Sequence, residues 1–166
     1  MGKIIYLSNK EDRKGQERGR ENFIINKHAN GHRKIVAHCE IDDRPAVMRD
    51  ITYSLDENWL PTDCFVRISV DDQFMGSGWF NFSNGHAECE TTTALDGRVS
   101  QRMETNGHLK TFQNHAIACD AWHLRLFDNA PVATADDQKL SILQRVLPPI
   151  RWHGKVYLKQ ELNALY

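Results

Sequence analysis

RKIVAHCEI (33–41), VMRDITYSL (47–55) and CFVRISV (64–70) share one rhythm, a core-type side chain at every second position but for Arg33 and Arg49. Ile35, Ala37, Cys39 and Ile41 fall on one side of the first stretch. Val47, Ile51, Tyr53 and Leu55 do so in the second, and Cys64, Val66, Ile68 and Val70 in the third. Successive side chains of an extended chain point to opposite faces, so this period marks strands with one buried face. Turn-forming runs separate them: Asp42-Asp43-Arg44-Pro45, Asp56-Glu57-Asn58 with Leu60-Pro61, and Asp71-Asp72.

The same pattern extends in both directions. Upstream, Phe23-Ile24-Ile25 leads to Asn30-Gly31; downstream, short runs end at Asn84-Gly85, Asp96-Gly97 and Asn106-Gly107. Asn-Gly and Asp-Gly supply the positive φ that tight hairpin turns require. Turns every 10 to 12 residues predict an antiparallel meander over residues 22–104.

The flanks read differently. Residues 10–21, KEDRKGQERGRE, hold no apolar side chain and mix both charge signs, which predicts a solvated, mobile loop or arm. Residues 114–147 are expected to be helical. AIACDAWHLRLF (116–127) lacks alternation, places Ile117, Ala121 and Leu124 on one helical side, and follows Asn114 as an N-cap. A buried strand is the competing reading of that segment. In residues 136–147, Leu140, Leu143 and Leu147 form a helical stripe that Pro148-Pro149 stops. Residues 150–166 are expected to form a strand or helix tail. The whole of 1–166 is read as one domain.

Composition narrows the classes of function. Lys and Arg number 21 against 22 Asp and Glu, a net charge of −1, so no basic track invites nucleic acid. No apolar run approaches the ~20 residues of a membrane span, and the first residues do not resemble a signal peptide. The expected location is the cytoplasm. Cys39, Cys64, Cys89 and Cys119 lie about 25 to 30 residues apart with no Cys-x-x-Cys pair, which predicts four reduced thiols.

The face carrying Ile35, Ala37, Cys39, Ile51, Tyr53, Val66, Ile68 and Val70 should turn inward, with Arg49 as its one charge needing a partner or ligand. The opposite face ought to be polar if it only meets water. Instead it mixes Val36, Met48, Phe65, Met75 and Trp79 with His38, Asp50, Arg67, His86 and Glu88. A second packed layer or homodimer interface would explain this. So would a mostly apolar small-molecule site with a few aimed polar groups. Gly76 and Gly78, inside a strand, point to a bulge or bend more than to ligand contact.

The acid–base set is His38, Asp50 and Arg67: a carboxylate orients a histidine as general base, and an arginine holds an anion. Such a set suits lyase or isomerase chemistry without a cofactor, and a cross-strand charge ladder is the plainer explanation. Met48, Arg49, Tyr53, Phe65, Met75 and Trp79 are the expected ligand-binding residues. His115, Cys119 and His123, spaced i, i+4, i+8, are weak metal-ligand candidates. Neither a Gly-x-Ser-x-Gly elbow nor a dinucleotide fingerprint is present, so no cofactor is expected.

By architecture alone, a curling meander followed by one or two helices resembles the lipocalin/calycin barrels. The resemblance implies a mainly β barrel or half-barrel enclosing an apolar molecule of aromatic or isoprenoid size. The alternative is a homo-oligomeric structural or interaction protein, for instance a homodimer, whose mixed face is the subunit contact. A second alternative is a metal-dependent enzyme using His and Cys ligands.

Overall fold

A computed structural model describes residues 1–112, 114 and 116–120. His115, His123, the stripe of residues 136–147 and the tail of residues 150–166 lie outside the described residues. The fold is mainly β. Among the described residues, eight strands follow one another in sheet order as in sequence: β1 (Gly2–Leu7), β2 (Glu17–Lys27), β3 (Arg33–Ile41), β4 (Val47–Leu55), β5 (Pro61–Val70), β6 (Gln73–Ser83), β7 (His86–Thr93) and β8 (Gly97–Glu104). Every neighbouring pair is antiparallel. Among the described residues one short helix, α1 (Ile117–Asp120), follows.

The meander is where alternation and turn chemistry place it. Gly31 and Gly85 take φ of 87° and 89° at the β2–β3 and β6–β7 turns, conformations that glycine adopts without steric cost. Met75 is the extra residue of a bulge opposite Ile68 and Ser69, beside Gly76, so the interior glycines accompany an irregularity of the sheet.

Two expectations change. Among the described residues the sheet is not closed into a barrel, because β1 and β8 each pair on one side only. Residues 10–21 are also more structured than a mobile arm: Glu11–Arg13 forms a 3-10 turn and β2 begins at Glu17. The inward positions of that early part of β2 are Gly19 and Glu21, both buried, and neither carries a hydrophobic signal.

The inner face is the core. Ile35, Ile51, Tyr53, Leu55 and Cys64 are buried, and the chain beyond β8 returns across them. Phe112 stacks against Phe80 and Phe82 with ring centroids 4.6 and 4.8 Å apart. Asn114 donates to the Cys64 sulfur at 3.5 Å, and α1 reaches β2. The described residues of 109–119 therefore form a strap that contacts the β6 side at Phe112 and the β2–β3 side at α1. Ala116 and Cys119 face the core, whereas Ile117, expected on the buried side of the helix, is half exposed.

Candidate functional site on the outer face

Cross-strand register assembles the outer face row by row. Side chains directly opposite on antiparallel strands stand about 4.5–5.5 Å apart at Cβ and interact. One row runs Ile24, Val36, Thr52, Phe65, Trp79, each opposite the next across β2 to β6. Ile24, Val36, Phe65 and Trp79 are 40–44% exposed. Four strand spacings of about 4.8 Å make this stripe roughly 19 Å long.

The next row carries His38, Asp50 and Arg67. All three predicted acid–base residues are thus adjacent. His38 Nδ1 lies 2.6 Å from Asp50, and Asp50 lies 3.8 Å from Arg67. His38 Nε2 lies 3.2 Å from Glu40, which accepts from Arg20 at 2.6 Å. Arg20 also meets Glu17 at 3.0 Å and pairs with Asp42. The result is an ionic chain over four strands, Arg67–Asp50–His38–Glu40–Arg20, with alternating sign when His38 is protonated. The hydrogen bond from Asp50 raises the His38 pKa, burial opposes it, and Glu40 adds to the rise. Glu40 is held below the usual carboxylate range by His38 first and Arg20 second.

Chemically, this chain is a charge ladder open to water. Both His38 nitrogens already face carboxylates, so neither is aimed at a substrate position. A shallow depression of about 280 Å³ lies nearby, between the β3–β4 and β5–β6 turns, lined by Met48, Glu40, Asp71 and Asp72 among others. It is acidic and does not reach Phe65 or Trp79.

The remaining predicted residues divide between the faces. Met48 lies opposite Glu40, in the row beyond His38, and Met75 projects from its bulge, 38% exposed. Arg67 approaches the Phe74 ring at 5.7 Å, a cation–π distance. Arg49 and Tyr53 are buried on the inner face and belong to no common site with Trp79. Of the metal-ligand candidates, Cys119 is fully buried, and His115 and His123 are outside the described residues. Among the described residues, no group of three or more His, Cys, Asp or Glu could hold a metal ion. No described helix is long and apolar enough to cross a membrane.

Glu21 is the residue that sequence reasoning missed. It is fully buried on the inner face, in the same register row as Cys39 and Arg49. Its carboxylate accepts from the Tyr6 hydroxyl, from the Cys39 thiol at 3.4 Å, and from the backbone N–H groups of Ile117 and Ala118 at 2.9 and 2.8 Å. Burial, then the Glu21 hydrogen bond, raise the Tyr6 pKa and keep its hydroxyl a donor. The signal available in sequence was Arg49: a charge on an apolar face implies an opposite charge near it.

Comparison with known proteins gives no identity: no family model, no curated protein and no solved structure matches this chain.

Proposed function

We propose that this protein is a homo-oligomeric interaction protein whose outer sheet face is its contact with a second copy. The observation that carries the proposal is the row Ile24, Val36, Thr52, Phe65 and Trp79, apolar but for one threonine and half exposed along its length. Fully burying such side chains contributes ~1.5–3 kcal/mol each relative to exposure, so covering their remaining surface favours association. A second copy suits the charges beside the row. Arg67, Asp50, His38, Glu40 and Arg20 flank it on one side, Lys34 and Asp63 on the other, and the chain's net charge is −1. A copy therefore meets both signs and no strong field of its own.

An enclosed apolar ligand is less well supported. That reading needs a cavity beside Phe65 and Trp79, and the acidic depression at Met48 reaches neither. The test is light scattering on Phe65→Ser with Trp79→Ser. The proposal expects the particle mass to drop while the strand content holds. An unchanged mass overturns it. If apolar dyes quench the tryptophans, and Trp79→Ala abolishes quenching at constant mass, the face is a ligand site instead.

A further inference from the structure

An open sheet has two edges, and here they differ in kind. The β8 edge carries Arg98, Arg102 and Glu104 on its outward positions. Charged side chains on an edge strand discourage another strand from pairing with it. The β1 edge reads Gly-Lys-Ile-Ile-Tyr-Leu, with Lys3 its only charge. Ile5 and Leu7 project on the outer face, 41% and 60% exposed, and no described residue pairs on their free side. The irregularity near Tyr6 and Leu7 places the extra residue, Arg18, on β2, so β1 itself stays regular. Its free side offers an unbroken run of backbone donors and acceptors.

We propose that β1 pairs antiparallel with β1 of a second copy about a two-fold axis at Ile5, merging two sheets into one. Strand geometry favours this register. In antiparallel pairing, directly opposite residues share a face, so a two-fold axis perpendicular to the sheet must bring like parity together. Centred on Ile5, it sets Ile5 against its symmetry mate, Ile4 against Tyr6, and Lys3 against Leu7. Apolar side chains meet on both faces, and neither Lys3 stands opposite the other.

This contact is distinct from the outer-face contact and does not depend on it. An edge-to-edge two-fold axis is perpendicular to the sheet, whereas a face-to-face two-fold axis lies parallel to it. Where the two perpendicular axes intersect, the two isologous contacts close a tetramer of D2 symmetry and leave no open chain of subunits. Taken together, they give two merged sheets stacked on their outer faces.

The test uses the full chain and exploits the self-pairing of Ile5. Ile5→Lys sets two ammonium groups opposite one another at the axis, and like charges there are destabilising. Light scattering should give at least two chain masses for the natural sequence and half the natural mass for Ile5→Lys. Leu7→Lys, at a more exposed position, should weaken the same contact without touching the core. Mixing Ile5→Lys with Ile5→Glu chains should restore the mass, which general damage to the fold would not allow. Natural chains at one chain mass overturn the inference, as does an Ile5→Lys mass equal to the natural one. If only the Phe65→Ser, Trp79→Ser double change lowers the mass, edge pairing is wrong and the outer-face contact stands. If only Ile5→Lys does, edge pairing stands and the outer-face reading falls.

Discussion

The Glu21 carboxylate accepts the backbone N–H of Ala118 at 2.8 Å, joining residues 97 positions apart in the chain. The Ile117 N–H binds the same carboxylate, so β2 supplies the acceptor for the first turn of α1. Asn114, two residues before Ala116, accepts that residue's N–H at 3.2 Å. The strap is thus pinned at one end by polar bonds from the sheet and along its length by Phe112.

Glu21→Ala should cost on the order of 3 kcal/mol, because it leaves two backbone donors and the Tyr6 hydroxyl without their buried acceptor. Glu21→Gln, which keeps one carbonyl oxygen but adds a donor beside other donors, should fall between the natural chain and Glu21→Ala. Urea denaturation at constant m-value measures the difference. A loss below about 0.5 kcal/mol, the scale of an ordinary surface change, would show that the strap does not depend on this carboxylate.

His38 should titrate above 6.5, and Asp50→Asn should lower its pKa more than Glu40→Gln, since the Asp50 hydrogen bond is the largest cause of the rise. The folded pKa lies above the unfolded one. The stabilisation from this pair is therefore complete below the unfolded value of about 6.5 and disappears as pH rises through the folded value. Its magnitude is small, because His38 and Asp50 are 40% and 49% exposed in their side chains and water screens them. Following the imidazole C–H resonances by NMR measures both pKa changes; an Asp50→Asn chain titrating like the natural one would assign the rise to another neighbour.

Much of this architecture was readable because two independent signals coincide from Phe23 to Glu104. Apolar alternation fixes which residues of β3, β4 and β5 face inward, and Asn-Gly or Asp-Gly fixes where three of the hairpins turn. The same alternation placed His38, Asp50 and Arg67 side by side, as the register has them. Where those signals separate, the reading failed. In β2 the inward residues before Phe23 are Gly19 and Glu21, and the outward ones include Arg18 and Arg20, so a paired strand looked like a charged loop. Closure also escaped the sequence, since β1 and β8 carry strand patterns without stating whether they meet. The strap was invisible for a third reason: Phe112 and Asn114 act through contacts with β5 and β6 that no local spacing encodes.

Phe112→Ala should destabilise the fold by ~3–5 kcal/mol, the usual range for removing a buried phenylalanine. Three rings surround it: Phe80, Phe82, and Tyr53 at 6.5 Å. Phe112→Leu, which refills most of the volume, should recover more than half of the loss. Thermal unfolding by circular dichroism separates the two; equal losses would mean that the ring contacts themselves, and not filled space, hold the strap.

The four thiols report whether the strap stays down. Cys39, Cys64, Cys89 and Cys119 are buried thiols outside any disulfide. Burial, with the Glu21 charge next, pushes Cys39 up to about 12; burial does the same to Cys64 and, with Glu90 behind it, to Cys89. The thiolate is the reactive form, so Cys39, Cys64 and Cys89 should resist a disulfide reagent at neutral pH; Cys119 is shielded by its burial, and all four should react together in denaturant. In Glu21→Ala, Cys119 on α1 and Cys39 beneath it should react first, while Cys89 stays protected by the sheet. Mass spectrometry of trapped adducts would read the order. Simultaneous labelling of all four would mean that the strap and sheet open as one unit, and selective early labelling of Cys89 would place the weak point at β7 instead.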